Sequence, residues 1–249
     1  MSNIIQSLWI GTKLSSIEQL SIKSFLDNGH EYHLYTYNPI KYIPEGTIIK
    51  HANEILPENE IFTYKSGSYS AFANYFRFML LYKKGGYWVD TDLICIAKFD
   101  FNQDIIIASE PTKYYNKKLI TSFLIKLPQN SNIAKRGIEI QKEHKIKILK
   151  GEIKWCSGNK TVIQLVNEFK LDKYIVPWIT FCSCSWQDTE SLINKDFKTR
   201  GYNDITKLPK DLYGIHLWNE VWRRNNIDKN KKYSDDCLFE QLKLKYNII

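Results

Sequence analysis

Residues 69–97 read YSAFANYFRFMLLYKKGGYWVDTDLICIA, a run that predicts a helix, a glycine break and a buried strand in that order. Apolar side chains recur at helical spacing in its first half, at Phe72, Phe76, Met79 and Leu80. The pair Gly85-Gly86 is expected to end the helix, because glycine adopts the backbone conformations that close a helical C-terminus. Residues 87–89, Tyr-Trp-Val, are aromatic or β-branched and favour a strand.

Two aspartates, Asp90 and Asp92, follow at the point where this strand should leave the sheet. Because residues two apart on a strand point the same way, both carboxylates are expected to face one spot. Mg²⁺ and Mn²⁺ prefer oxygen ligands and usually keep positions open for water or substrate phosphates, so one or two carboxylates suffice. The spacing therefore predicts a divalent cation site. A solvated acidic turn is the alternative, because D-x-D tripeptides also occur by chance.

A second pair of polar side chains lies on another face of the predicted helix. Asn74 and Arg77 are one helical turn apart and can reach the same ligand. The guanidinium of Arg77 carries five donors on a rigid fork, which lysine cannot reproduce. The pair predicts ligand binding beside the two aspartates, and the alternative is that Arg77 pairs structurally with a neighbouring carboxylate.

These motifs together resemble the DXD-containing sugar-transferase family, which includes bacterial capsule and lipooligosaccharide enzymes, fungal α-mannosyltransferases and glucosylating clostridial toxins. The shared pattern is Asp or Asn three residues before Arg, a hydrophobic stretch, Gly-Gly, and then aromatic-x-Asp-x-Asp. This chain carries the pattern at Asn74, Arg77, Gly85, Gly86, Asp90 and Asp92, with Asn74 where the family often has Asp. The resemblance implies an α/β fold of GT-A type, with a Rossmann-like, mainly parallel sheet and helices on both of its faces.

The start of the chain agrees with such a fold. A strand, a helix and a second strand are predicted at residues 4–10, 16–27 and 33–37. Nucleotide-binding sheets are built from β–α–β units of this kind. The resemblance implies that Trp9 lies near the nucleobase, with Thr36 and Tyr37 close by; plain core packing is the alternative for Trp9.

Four further elements are predicted outside the motif. They are a loop with one helical turn, a buried strand, an apolar core segment and an amphipathic helix, at residues 38–68, 105–108, 119–127 and 133–150. Residues 161–200 alternate helix-like and strand-like pieces. The resemblance implies that Glu110 faces the sugar, with a turn charge as the alternative. Residues 155–159 fall where the family carries a small-Gly-Pro turn, with Asn159 in place of the proline.

The C-terminal part contains one more motif. Residues 213–222 read YGIHLWNEVW, in which a predicted strand ends at a histidine and is followed by two tryptophans. The segment is similar to the family's C-terminal His-x-Trp segment, and the resemblance implies that His216 binds the metal while Trp218 and Trp222 cover the diphosphate. A buried strand whose tryptophans only pack is the alternative. An amphipathic helix is predicted after it, at 238–249.

Composition sets the wider limits. The chain has 249 residues, of which 43% are hydrophobic and 14% aromatic, so it is long and apolar enough to bury a large core. We expect one domain over 1–249, with 1–110 binding the nucleotide sugar and 111–249 forming the acceptor side and a closing segment. The net charge of +8 suits an anionic nucleotide sugar, a lipid-linked acceptor or an acidic membrane surface. The scattered lysines form no long basic arm, which argues against nucleic acid.

The cysteines predict a compartment. There are 5 of them, an odd number without C-x₂-C spacing, which argues against a disulfide framework or a structural zinc site. Reduced thiols are typical of the cytoplasm, and contact with the inner face of an acidic membrane is a further expectation. No apolar run reaches the roughly 18 residues needed to cross a bilayer.

The resemblance also implies an activity. It is that of a metal-dependent, retaining glycosyltransferase that moves a hexose from a nucleotide diphosphate sugar, expected to be a UDP-sugar. The acceptor would be a glycan or a lipid-linked glycan, in the synthesis of capsule or another surface polysaccharide. Mn²⁺ or Mg²⁺ would be the cofactor, and Asp90, Asp92 and Arg77 the catalytic residues. Two alternatives stay open: a haloacid-dehalogenase-like phosphatase with Asp90 as nucleophile, and a non-catalytic module that binds nucleotide or glycan without turnover.

Overall fold

The computed structural model describes residues 3–155 and 158–248, and within these ranges the chain forms eight strands and six α-helices. The strands are β1 Ile5–Trp9, β2 Tyr32–Thr36, β3 Ile48–His51, β4 Gly86–Val89, β5 Leu93–Cys95, β6 Ile106–Pro111, β7 Lys118–Leu127 and β8 Gly214–His216. The helices are α1 Ser16–Asp27, α2 Ser70–Lys84, α3 Asn132–Leu149, α4 Gly158–Phe169, α5 Asn219–Arg224 and α6 Leu238–Lys245.

Six of the strands form one sheet in the order β3-β2-β1-β4-β7-β6. The first four run parallel to one another, and β7 is antiparallel to both of its neighbours. The remaining two strands, β5 and β8, pair antiparallel in a small separate sheet. The predicted α/β class with a mainly parallel sheet is therefore confirmed.

Side chains of the central sheet alternate between two apolar clusters. Tyr87 and Val89 of β4 join a cluster that also contains residues of α1 and α6. Trp88, which lies between them, joins a second cluster with residues of α2, α3 and α4. This alternation follows from the two-residue period of a strand, and it places helices on both faces of the sheet, as predicted.

The helix break at the end of α2 has a steric cause. Gly85 adopts φ 65°, and a Cβ atom added there would lie 2.6 Å from the backbone nitrogen of Gln129. Only glycine combines this backbone conformation with so close an approach. The chain can therefore leave α2 and enter β4 at Gly86, directly beside β1.

Three predicted elements need correction. Residues 48–51, expected to lie in a loop, form β3 at the edge of the sheet, where Ile48 and Ile49 stay exposed and produce no burial pattern. Residues 93–96, whose apolar side chains predict that the strand continues beyond Asp92, form a strand at 93–95 that pairs with β8 and not with the central sheet. Between 170 and 200 the structure has short 3₁₀ turns and no named strand. The predicted bounds of α1 are confirmed.

No helix in the described ranges is both long enough and apolar enough to pass through a bilayer.

Candidate active site

The carboxyl ends of the parallel strands β1, β2 and β4 lie at one edge of the sheet, where α/β proteins commonly bind ligands. Trp9 at the end of β1 pairs in register with Thr36 at the end of β2. The indole Nε1 of Trp9 is buried and has no hydrogen-bond partner among the described residues. Tyr37 is turned into the protein, where its hydroxyl donates to the carbonyl oxygen of Leu56 at 3.0 Å. Trp9 and Thr36 therefore lie together at this edge, whereas the Tyr37 hydroxyl is already bonded inside.

Helix α2 delivers Asn74 and Arg77 to the same edge. Arg77 is 3% exposed; its Nη1 donates to Oδ1 of Asn74 at 2.7 Å and its Nη2 donates to Oδ1 of Asp90 at 2.8 Å. The Asp90 oxygen also accepts from the indole of Trp88 at 2.7 Å, and the guanidinium lies 4.9 Å from the centre of that ring. Two donors therefore hold one oxygen of Asp90, and its side chain remains 35% exposed.

The two aspartates do not lie on a strand. Strand β4 ends at Val89, the backbone N–H of Asp90 donates to Phe123 at 2.7 Å, and the N–H of Leu93 donates back to the Asp90 carbonyl at 3.2 Å. Asp90 and Asp92 thus belong to a turn between β4 and β5. The expectation that strand alternation aligns their carboxylates is corrected, because the turn sets their directions instead.

Asp92 meets His216 across the small sheet, in which Leu93 is paired with His216. Nε2 of His216 lies 3.3 Å from Oδ1 of Asp92, and the backbone N–H of Asn219 donates to Oδ2 at 2.8 Å. The imidazole is held between Phe123 and Trp218, with ring centres 4.1 and 4.0 Å away. The structure therefore brings together Asp92 and His216, which are distant in sequence.

Charge is unevenly balanced in this group. Burial disfavours both ions of the Asp92–His216 pair, but His216 lowers the pKa of Asp92 and the Asp92 carboxylate raises the pKa of His216. A cation bound at Nε2 of His216 would replace the proton there, because a ligating imidazole is neutral. Burial raises the pKa of Asp90 despite Arg77, and Asp92 adds to the shift. Burial likewise raises the pKa of Glu110, against the attraction of His216. Three carboxyl groups, those of Asp90, Asp92 and Glu110, thus lie near two basic side chains, Arg77 and His216. This excess of acidic groups favours an added cation.

The donor atoms suit a divalent cation that keeps most of its positions for substrate. Among residues 3–155 and 158–248, no three His, Cys, Asp or Glu side chains are grouped to hold a metal. Oδ1 of Asp92 and Nε2 of His216 are nevertheless separated by 3.3 Å, close to the roughly 3 Å between adjacent ligands of a cation with bonds of ~2.1 Å. Asp90 has one oxygen not held by Arg77 and Trp88. This set of hard oxygens and one imidazole fits Mn²⁺ or Mg²⁺.

Two residues without a strong sequence signal, Gly158 and Ser122, lie beside the Asn74–Arg77 pair, and Asn159 contacts Ser122. A Cβ atom at Gly158 would lie 2.5 Å from Oδ1 of Asn74, 2.6 Å from Oγ of Ser122 and 2.9 Å from Nη1 of Arg77. Asn159 accepts at Oδ1 from the backbone N–H of Ser122 at 3.0 Å. The start of α4 therefore closes one side of the site.

The stretch 155–159 contained a partial signal for this contact, the glycine before a predicted helix. Its residues 156 and 157 lie outside the described ranges. No local pattern could have identified Ser122, because it sits inside a long strand and becomes a neighbour of Arg77 only through pairing of β7 with β4.

The remaining predicted residues divide into two groups. Glu110 is 7% exposed on β6, and His216 lies close enough to influence the pKa of Glu110. Trp218 is 7% exposed against His216. Trp222 is fully buried and packs on Phe239 with ring centres 4.9 Å apart. Glu110 and Trp218 thus lie beside the Asp92–His216 pair, whereas the described contacts of the Trp222 indole are with other residues.

Part of the chain matches a known protein family, and its fold is similar to that of solved structures. Residues 18–112 match the family model described as glycosyltransferase sugar-binding region containing DXD motif. No curated protein is significantly similar to the chain. The apo-form glycosyltransferase GlyE of Streptococcus pneumoniae TIGR4 aligns with a TM-score of 0.52 and 14% identity, over 100% of this chain and 61% of that one. A second GlyE structure gives 0.51 and 12% with the same coverage.

The structure of PaToxG Glycosyltransferase aligns with a TM-score of 0.48 and 17% identity, over 69% of this chain and 71% of that one. The chain spans 61% of the length of the pneumococcal structures. At such low identity the GlyE likeness concerns the fold alone, and the predicted GT-A type is confirmed.

Proposed function

We infer that the chain is a glycosyltransferase, because residues 18–112 match the family model of a glycosyltransferase sugar-binding region containing the DXD motif. This match supports the predicted resemblance and disfavours the phosphatase interpretation. We propose that the enzyme is metal-dependent and retaining, and that it transfers a hexose from a UDP-sugar to a glycan or lipid-linked glycan acceptor in surface polysaccharide synthesis. Work at the cytoplasmic face of an acidic membrane is part of the same proposal.

One observation carries the proposal. At one sheet edge the Arg77–Asp90 pair lies next to the Asp92–His216 pair, and the nitrogen-to-oxygen distances are 2.8 and 3.3 Å. A buried guanidinium fixes one carboxylate, while the other carboxylate shares its free oxygen with an imidazole. This arrangement supports a cation bound directly by Asp92 and His216, with the outer oxygen of Asp90 contacting it through a water or a ribose hydroxyl of the donor.

When bound, the cation would neutralise negative charge that develops on the leaving diphosphate. The protein's own contribution is positioning. Arg77 holds Asp90 at a fixed place and is bonded to Asn74, and Asn74 and Arg77 are proposed to contact the hexose. Trp218 shields the imidazole of His216 on one side. Exclusion of water from this corner protects the donor from hydrolysis.

The nucleoside is proposed to lie along the ends of β1 and β2. Trp9 offers a half-buried ring there and an indole N–H with no partner in the described chain, which suits stacking and hydrogen bonding to a base. Thr36 lies beside it in register. Glu110, buried near His216, is proposed to face the hexose.

We further propose a single catalytic domain, with residues 1–110 as the donor-binding part and 111–249 as the acceptor side. The segment 214–222 lies in the acceptor part by sequence but contacts the donor part, because its strand β8 is hydrogen-bonded to β5, which begins immediately after Asp92. It is proposed to act as a closing segment whose amide exchange slows when UDP-sugar and Mn²⁺ bind together.

A panel of nucleotide sugars tests the proposal. The purified chain is incubated with each donor and Mn²⁺, and nucleotide diphosphate release and thermal shift are measured with and without a chelator. UDP release from one hexose donor, lost in the chelator and in Asp92→Asn, is expected. Thermal stabilisation by a donor without turnover on any acceptor or water would indicate a binding module, and a phosphoaspartate trapped at Asp90 would indicate a phosphatase.

A further inference from the structure

The carboxylate of Glu18 is completely buried near the start of α1, and donors occupy both of its oxygens. Oε2 accepts from the backbone N–H of Ser15 at 2.7 Å and from the Ser15 hydroxyl. Oε1 accepts from Nδ2 of Asn219 at 3.0 Å and from Nζ of Lys229 at 3.1 Å. The start of α1 and two positions near the C-terminal end of the chain therefore meet at one buried charge, which Lys229 offsets.

Asn219 connects Glu18 to Asp92. Its side-chain amide donates to Glu18, and its backbone N–H donates to Oδ2 of Asp92 at 2.8 Å. The backbone N–H of Leu217, two residues earlier, donates to the carbonyl oxygen of Asp92 at 2.9 Å. Asp92 is thus held by the segment that Glu18 anchors, and Oδ1 is left facing His216.

The residue between these two contacts is strained. Trp218 has φ 59° and ψ 47°, the left-handed region that a bulky side chain rarely occupies. Such a conformation persists only when its surroundings hold it. The bonds of Leu217 and Asn219 on either side supply that restraint, and the Asn219 side chain is itself fixed by Glu18.

We propose that Glu18, with Asn219 and Lys229, is a positioning group that holds Asp92 and the strained Trp218 in place for cation binding. None of the three is proposed to touch the donor. The inference rests on the proposed function in one respect, since it takes Asp92 as a ligand of the cation. Groups that orient metal ligands typically change metal affinity by about 10–100-fold when removed, and an effect of that size is expected here.

The main test uses Asn219→Ala, which removes the side-chain link to Glu18 but keeps the backbone N–H and the contact between Ser15 and Glu18. Amide exchange of residues 217–222 is measured in the metal-free full chain, and Mn²⁺ affinity is measured by calorimetric titration in the presence of UDP. Exchange is expected to accelerate at least about 10-fold, and Mn²⁺ to bind about 10–100-fold more weakly. Glu18→Gln, which replaces an acceptor oxygen by a donor, is expected to act in the same direction.

A matched control separates positioning from general destabilisation. Glu240 is also buried, and it accepts from the backbone of Tyr233 at 3.0 Å and pairs with Lys243 at 3.1 Å, far along the chain from Asp92. Glu240→Gln is expected to lower the melting temperature without weakening Mn²⁺ binding.

Wild-type Mn²⁺ affinity in Asn219→Ala overturns the proposal, even if exchange accelerates, and so does a loss no larger than that of Glu240→Gln. If the unsubstituted chain binds no Mn²⁺ with UDP, the proposed function fails. Amide exchange in the metal-free protein then still decides whether Glu18 holds residues 217–222 beside Asp92. Unchanged exchange in both Asn219→Ala and Glu18→Gln would mean that the contact between Glu18 and Asn219 does not hold this segment.

Discussion

Arg77 reaches Asp90 over 2.8 Å while its other terminal nitrogen donates to Asn74 at 2.7 Å, so one guanidinium links a residue of its own helix to the first aspartate of the motif. The side chain is buried and lies over the Trp88 ring. Because both terminal nitrogens are engaged at once, the orientation of Asp90 depends on the forked shape of arginine as well as on its charge.

Replacing this arginine by lysine separates shape from charge. Arg77→Lys keeps a positive charge, but one ammonium cannot span both partners in the same way, so sugar transfer is expected to fall about 100-fold or more. Stability is expected to fall by only about 1–3 kcal/mol, the cost of a lost buried hydrogen bond. UDP release and urea unfolding measure the two effects.

The matched control is Arg136→Lys on α3, where a partly exposed arginine pairs with Glu139 and Glu168 at the surface. Both transfer and stability should change little there, because exposed ion pairs contribute little. Near-normal transfer by Arg77→Lys, or an unfolded variant, contradicts the proposed role.

Removal of the cation tests the roles of the two aspartates. Chelation is expected to abolish UDP release, and Mn²⁺ or Mg²⁺ to restore it. Asp92→Asn should be more damaging than Asp90→Asn, since Asp92 pairs with His216 whereas one oxygen of Asp90 already serves Arg77 and Trp88. A loss above about 100-fold is expected for Asp92→Asn, because even indirect metal partners cost about 10–100-fold. Full turnover in excess chelator excludes the metal-dependent mechanism.

A single methyl group at the start of α4 should disturb the donor site. In Gly158→Ala the new Cβ would overlap Asn74 and Ser122, at 2.5 and 2.6 Å, so these side chains must shift. A displacement near 1 Å can cost about 100-fold in rate, and kcat/KM for the donor is expected to fall by about 10–100-fold. Lys160→Ala, an exposed position two residues later, is the control and should leave kcat/KM unchanged. Equal kcat/KM in the two variants argues against a role for the α4 start.

His30 predicts a pH dependence of stability that is separate from catalysis. Burial, with Lys98 nearby, lowers the pKa of His30 to about 4, and its Nε2 accepts from the backbone N–H of Phe99 at 2.9 Å, as a neutral ring does. Between pH 6.5 and pH 4, His30 binds a proton in the unfolded chain but stays neutral in the folded chain. The free energy of unfolding should therefore fall as pH drops from 6.5 toward 4. The contribution of His30 is at most about 3 kcal/mol.

Urea unfolding at pH 7 and pH 5 measures this contribution. In His30→Gln the side-chain carbonyl can still accept from Phe99, but nothing titrates in this range. The difference in unfolding free energy between the two pH values should therefore be smaller in the variant than in the unsubstituted chain. An identical difference in both proteins means that His30 does not carry the effect.

Local sequence determined a large part of this protein. Helix α1 has its predicted bounds because a capping box at Ser15 and Glu18 starts it. The order of helix, glycine break and strand at residues 70–89 follows from side-chain periodicity and from the backbone freedom of Gly85. These are interactions among near neighbours, which a linear sequence displays directly. The same stretch contained Asn74, Arg77 and both aspartates, so the motif and the family that it resembles could be recognised without a structure.

Only the tertiary structure decided which groups meet. Asp92 contacts Asn219, 127 positions away, and Asn219 contacts Glu18, 201 positions away. Such contacts depend on strand register and on the paths of intervening loops, which no local period encodes. The turn at Asp90, the approach of Gly158 and the burial of Trp222 are of the same kind. Sequence therefore specified the chemical groups of the site, whereas packing of distant segments set their positions, because each position is fixed by long-range contacts that form together on folding.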